Sequence, residues 1–350
     1  MKTVTFFTIH QAPHNTFTFR SLEKDFKLNI FYYKDKLDDY NWKKNDFYYQ
    51  SVKNKGFINH LRCALNSDLV IISGWQNYRH LLLIFLMLVF KRKFALYSDL
   101  GISSLRKKKM IKKGILKIAP FVFITGIYGE KFLKRYLKKD NVYNFPYGIN
   151  AFDSKEIDNI NNQRIIDIQQ GNKIKIFISN RFIERKGYHL VRSLLNYLRK
   201  EELIDAFQFI IAGNGPLFTK EKELMSQLTN NILFLGWIDY NEYRGQMKIC
   251  DIYLHCSENE PYGIPPLDAF VCKKNIILTK NIYSKYDINE LGGKMYEFNY
   301  KKENELHYIF QKIAKNRSLL YSLNEKKNVK FPCYLFRDIH LKVINIALNT

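Results

Sequence analysis

Residues 251–270 read DIYLHCSENEPYGIPPLDAF. The opening DIYLHC is a short apolar run of strand length. Gly263 then permits close backbone approach, and Pro265 and Pro266 fit the opening of a helix, whose first amide groups have no intrahelical partner. A strand that feeds a helix through such a turn is one β–α unit, and its helix N-terminus attracts phosphate. The same alternation extends outward on both sides. IKIFI, FQFIIA, ILFL and NIIL are further strand-like runs, separated by helical patterns such as Leu190, Val191, Leu194, Leu195 and Leu198 on one face. The first half repeats the pattern with VTFFTI, LNIFYY, DLVIIS, KFALYS, FVFIT and VYNF, and with helical candidates at 55–65, 77–90 and 129–137. Strands alternating with amphipathic segments specify mostly parallel sheets, so the expected fold is α/β with two Rossmann-like domains.

A chain of 350 residues exceeds the usual size of one hydrophobic core, in keeping with two domains. The first is expected at 1–152. Residues 153–173, DSKEIDNINNQRIIDIQQGNK, are polar, carry turn formers and lack a sustained apolar face, which predicts an interdomain connection. The second domain follows at 174–330. Residues 331–350 read as a helix whose Leu335, Ile339, Leu341, Val343 and Ile344 need a partner surface, expected on the N-terminal domain.

The five cysteines are odd in number and scattered, without zinc spacing or a CxxC pair, which fits a reducing cytosol. The start, MKTVTFFTIH, reads as a first strand rather than a signal peptide. The longest apolar stretch, 81–90, is half of the roughly 20 residues a membrane-spanning helix requires. A net charge of +23 calls for a polyanionic partner, with nucleic acid, anionic lipid and nucleotide diphosphates all eligible. A composition rich in Lys, Asn, Ile, Tyr and Phe also follows from AT-rich coding, so part of that charge has a bland origin.

In NRFIERKGYHL, Arg181 and Lys186 sit on a strand-to-helix connection at the carboxyl end of a strand, where open α/β sheets bind ligands. Arginine offers a planar fork for phosphate oxygens and lysine a point charge, so the two suit a diphosphate without a metal. Taken alone, a solvated basic turn looks the same. The next strand ends in Gly213 and Gly215, but Phe218 stands where a dinucleotide fingerprint needs its third glycine, which argues against NAD. Glu260 and Asp268 add two carboxylates, which repel phosphate but accept hydrogen bonds from sugar hydroxyls. Anion-binding amides, cations and hydroxyl acceptors together suit a nucleotide sugar. No D-x-D metal motif stands at a strand end.

The arginine and lysine five apart, AGNGP, FLGWID and EPYGIPPLD occur in the order found in the group 1 glycosyltransferases, of family 4 type, which the second half of the chain resembles. That resemblance implies the GT-B fold, two Rossmann-like domains facing a cleft, and a retaining, metal-independent transfer that needs no cofactor. It places Arg181 and Lys186 on the donor pyrophosphate and Glu260 on the transferred sugar, the three expected catalytic residues. Asp268 falls where the family's second glutamate meets the ribose, one methylene shorter. Tyr262, Gly263, Ile264, Gly213 and Gly215 complete the implied donor contacts, with Trp237 and Ile238 beside the nucleobase. A UDP sugar is the expected donor. Asn180 stands where the family carries a glycine.

In the first half, FPYGIN resembles the family's strand–Pro–Asn–Gly junction, and LYSDL keeps only Asp99 of a His-Asp pair, Ser98 replacing the histidine. His10 and His14 of HQAPHN fall where the family carries a loop facing the cleft. These three residues are the acceptor-side candidates, with a turn histidine the simpler reading of each imidazole. Arg106, Lys107, Lys108, Lys109, Lys112, Lys113 and Lys117 interleave with Leu105, Met110, Ile111, Ile115, Leu116 and Ile118, as in a basic amphipathic helix. An anionic membrane surface contacted through residues 105–118 is therefore expected, with a glycan or lipid-linked acceptor and a peripheral cytoplasmic location. An ordinary solvated basic helix is the alternative. Two other functions compete: a basic nucleic-acid-binding Rossmann protein, disfavoured because no recognised nucleic-acid module is present, and a glycosyltransferase-like subunit that has lost catalysis, favoured by Asp268 and Ser98.

Overall fold

The computed structural model describes residues 1–8, 12–32, 56–73, 78–98, 109–322 and 331–350. The chain divides into two compact units, Met1–Asn150 with Cys333–Thr350, and Ala151–Pro332. In the first unit β1 (Thr3–Thr8), β2 (Lys27–Tyr32), β3 (Leu69–Ser73), β4 (Phe94–Ser98), β5 (Phe121–Ile124) and β6 (Val142–Asn144) form a parallel sheet in the order β2-β1-β3-β4-β5-β6. Helices cover both faces, and this is why the strands are apolar runs without alternation. Leu83, Ile84 and Met87 of helix Tyr78–Val89 share one core with Leu116, Leu133 and Leu137 on the succeeding helices. Helices Pro13–Leu22 and Arg337–Asn349 pack on the other face, where Phe19 and Leu22 meet Val343, Ile344 and Ala347.

The C-terminal helix is pinned as well as buried. His340 is fully buried and donates its Nε2–H to the Pro146 carbonyl at 2.7 Å, and burial pushes its pKa down to about 4. Arg337 donates to Asp25 at 2.7 Å and to the Ser21 carbonyl at 3.1 Å. Just before that helix, β14 (Tyr334–Leu335) pairs antiparallel with β7 (Ile149–Asn150).

In the second unit β8 (Ile174–Ser179), β9 (Phe207–Ala212), β10 (Ile232–Gly236), β11 (Ile252–His255), β12 (Asn275–Thr279) and β13 (Tyr296–Phe298) are again parallel, in the order β10-β9-β8-β11-β12-β13. The chain winds outward from β8 through β9 to β10, then restarts at β11 and winds the other way. The gap between the carboxyl ends of β8 and β11 is thus the topological switch point, the place where such sheets bind ligands.

Residues 153–173, expected as an interdomain connection, differ from that reading. They hold the 16-residue helix Ser154–Gln169, which belongs to the second unit. Asp153 caps it by accepting from the Glu156 amide at 2.8 Å. Its buried side chains are Ile157, Arg164 and Ile168, too few for an apolar stripe. The anchor is ionic instead. Arg164 grips Asp251 through Nε at 3.1 Å and Nη2 at 2.7 Å, and the same carboxylate accepts from the Lys175 amide at 2.7 Å. Among the described residues no helix is long and apolar enough to cross a membrane.

Candidate functional site

The switch point of the second unit holds the residues singled out above. The segment after β8 carries Arg181 and Lys186, and the segment after β11 carries Glu260. Gly187 brings the two segments together. Its φ is +73°, and an added Cβ would land on the Cys256 carbonyl, so only glycine lets the β8 turn lie this close to the end of β11. Beside it the Glu258 amide donates to the Arg185 carbonyl at 2.8 Å. As a result Lys186 Nζ forms a hydrogen-bonded ion pair with Glu260 Oε2, both side chains largely buried, while Arg185 Nη1 approaches the same oxygen at 3.6 Å. Arg181 stands exposed on the same turn, five residues before the lysine.

Burial alone would raise the Glu260 carboxyl. The neighbouring His255 and the Lys186 ammonium outweigh it and hold the pKa at about 2, so Glu260 is ionised throughout the physiological range. Burial lowers the Lys186 pKa, only partly offset by Glu260. Beneath the pair lies a polar network that the sequence does not reveal. His255, 1% exposed, has Nε2 3.1 Å from Ser257 Oγ and 3.9 Å from Glu260 Oε2. Its Nδ1 faces the Tyr253 hydroxyl at 3.1 Å and Asn180 Nδ2 at 3.5 Å. Asn180 Nδ2 can only donate, so Nδ1 accepts and the Nε2–H points toward Ser257 and Glu260. Desolvation lowers the His255 pKa and keeps the ring neutral.

Gly263, at φ +93°, caps helix Ile264–Val271, with Pro265 in the first turn as expected; a Cβ at Gly263 would meet Ile282 Cγ2 at 2.9 Å. The helix amide ends and the Lys186–Glu260 pair therefore belong to one strand end. Tyr262 is buried, and Ile264 is half-buried. Next to the site the Gly213 amide donates to the Gly236 carbonyl at 2.6 Å, which ties the glycine turn after β9 to the one after β10. Gly215, Trp237 and Ile238 on those turns are half-buried.

Asp268, expected on the ribose, has a buried tyrosine as its partner. It is 5% exposed and accepts from the Tyr243 hydroxyl at 2.8 Å. Burial pushes its pKa up to about 6, against the Tyr243 hydrogen bond and the Arg244 charge. The folded state thus holds this proton more tightly than the unfolded chain, so its contribution to stability declines as pH rises from about 4 to about 6. Asp268→Asn removes that decline. The variant is expected to unfold at a higher temperature than the parent at pH 7 and at the same temperature near pH 4. Equal midpoints at pH 7 contradict the assignment.

Of the acceptor-side candidates, His10 and Asp99 lie outside the described residues. His14 is half-buried in the first turn of helix Pro13–Leu22, its ring edge-on to Tyr147 with centroids 4.2 Å apart. A helix, opened by Pro13, begins where a loop was expected. Of the basic segment 105–118, helix Lys109–Ile118 is described; Lys117 and Ile118 are exposed and Leu116 is buried.

Residues 159–328 match the family model described as glycosyl transferases group 1. Among curated proteins, the phosphatidylinositol N-acetylglucosaminyltransferase GPI3 subunit of Saccharomyces cerevisiae is 23% identical over 53% of this chain and 41% of its own length. The alpha-monoglucosyldiacylglycerol synthase of Streptococcus pneumoniae is 23% identical over 55% of this chain and 38% of its own. The matches thus span about two fifths of the length of these curated relatives. Among solved structures, Anabaena HepE in complex with UDP-glucose aligns over 100% of both chains with a TM-score of 0.71 at 14% identity, a likeness of fold. The match to the group 1 glycosyl transferases thus lies in the second unit, at residues 159–328, and the two doubly wound α/β domains have the GT-B fold.

Proposed function

We propose that the protein transfers a hexosyl or N-acetylhexosaminyl group from a UDP sugar to a saccharide or lipid-linked acceptor, with retention of anomeric configuration and without a metal. The observation that carries this reading is the Lys186–Glu260 ion pair, set at the switch point beside Arg181 and the helix amides at Gly263. A diphosphate entering there meets cations and helix amides, and Lys186 exchanges its carboxylate partner for phosphate. Glu260, kept ionised, then accepts hydrogen bonds from a hydroxyl of the transferred sugar. In the reaction the bond from the anomeric carbon to the diphosphate oxygen breaks, a bond to the acceptor hydroxyl oxygen forms, and the hydroxyl proton is released. Charge gathers on the departing diphosphate, where Arg181, Lys186 and the amides stabilise it, so no metal is needed.

A UDP donor is supported by the fold shared with HepE, whose structure holds UDP-glucose. The names of the yeast and pneumococcal relatives pair a sugar with phosphatidylinositol and with diacylglycerol, which favours a lipid-linked acceptor. We place the reaction in bacterial-type surface polysaccharide or lipopolysaccharide synthesis, at the cytoplasmic face of the plasma membrane. The test is product analysis of the purified chain with UDP sugars and a membrane lipid extract, in chelator. Release of UDP with a new glycolipid that keeps the donor's anomeric configuration is expected. An inverted product contradicts retention, activity abolished by chelator contradicts metal independence, and absence of any transfer with every UDP sugar contradicts the whole reading.

A further inference from the structure

We propose that the outward face of helix Tyr78–Val89 is the surface through which this protein rests on an anionic lipid bilayer. The helix is apolar on both sides. Its inner face, Leu83, Ile84 and Met87, is at most 3% exposed and fills the core beneath the sheet. Its outer face presents Tyr78 at 67%, Leu82 at 45%, Phe85 at 59% and Val89 at 56% exposure, followed by Phe90 at 52%. Steps of four, three and four residues align these side chains in one stripe. A helix on a water-facing surface carries polar residues there, and a contiguous apolar stripe marks a surface with a second partner.

Charge identifies that partner. Between Leu69 and Gly129 the chain has a single acidic residue, Asp99, against eleven cationic ones: Arg79, Lys91, Arg92, Lys93 and the seven between Arg106 and Lys117. Arg79 and Lys91 are exposed at the two ends of the stripe. Helices Tyr78–Val89 and Lys109–Ile118 connect β3 to β4 and β4 to β5, neighbours in the sheet, and Leu83 and Leu116 share one core. The two helices are therefore consecutive members of one layer, and the exposed Lys117 and Ile118 belong to the same side of the unit. A second copy of the chain seated here would bring cations against cations, with +23 on each molecule. Anionic headgroups over hydrocarbon supply both the counter-charge and the apolar phase. The exposed Arg79, Lys91 and Lys117 are thus the electrostatic half of a contact whose anchoring half is the apolar stripe. This rests on the membrane-side reading above, and its test is independent of catalysis.

The test is flotation of the full chain with phosphatidylcholine vesicles, with and without phosphatidylglycerol. The parent is expected to float with the anionic vesicles and not with the neutral ones. Phe85→Ser with Val89→Ser is expected to lose about tenfold or more of its vesicle affinity at every salt concentration. Lys91→Gln with Lys117→Gln loses affinity at low salt only. All four positions are exposed, so circular dichroism and UDP affinity should match the parent; unchanged UDP affinity separates this contact from the donor site. A parent that ignores anionic vesicles, or a Phe85/Val89 variant that floats like the parent, overturns the proposal. So does a parent dimer in sedimentation that the same variant dissolves, which would give the stripe to a second copy.

Discussion

Arg181→Ala is expected to lower turnover of the nucleotide sugar by on the order of a hundredfold or more while leaving the thermal midpoint unchanged. The asymmetry follows from its position. Arg181 is exposed on the turn after β8, so the fold owes little to it, whereas a leaving diphosphate has need of its planar fork. Lys186→Ala should impair turnover to a similar extent but also lower stability, because it strips the buried Glu260 carboxylate of its nearest cation. Steady-state rates and unfolding midpoints of the two variants separate the roles. Full turnover in the Arg181 variant removes it from the site.

Arg164→Ala is expected to destabilise the second unit by about 3–5 kcal/mol, the effect of leaving one member of a buried ion pair alone. The partner, Asp251, is 7% exposed at the start of β11, and its carboxylate also holds the Lys175 amide at the start of β8. Loss of the guanidinium therefore strands a charge between the two central strands. Asp251→Asn in the same chain should recover part of the loss, since the amide still accepts from Lys175 without a buried charge. Urea unfolding measures both, and a shift under about 1 kcal/mol for Arg164→Ala contradicts a buried pair of this kind.

These two residues also mark what the sequence can and cannot disclose. The strands were legible because helices bury both faces of each sheet, which leaves runs such as LVIIS and FQFIIA with no polar alternation to confuse them. Helix Ser154–Gln169 was not legible, since an Arg–Asp clamp holds it where an apolar stripe would have announced it. The spacing of Arg181, Lys186 and Glu260 was visible only as an ordered set. Strand order, on which their convergence depends, has no period in the sequence: β8 and β11 lie 72 residues apart from Ser179's neighbour Asn180 to Ile252 yet are adjacent in the sheet. His255 was hidden for the opposite reason. In a strand that is buried throughout, a lone histidine looks like any other core residue, and its alignment under Glu260 appears only in three dimensions. The outward stripe of Tyr78–Val89 was hidden by its own uniformity, because a run that is apolar on every side reads as wholly buried.

Calorimetric titration of UDP and of UDP sugars into the parent chain and into Arg181→Ala tests the donor-site assignment most directly. Saturable binding to the parent is predicted, weakened about tenfold or more by the substitution. Absence of binding by every nucleoside diphosphate and its sugar derivative, or equal affinity in the two proteins, would contradict it.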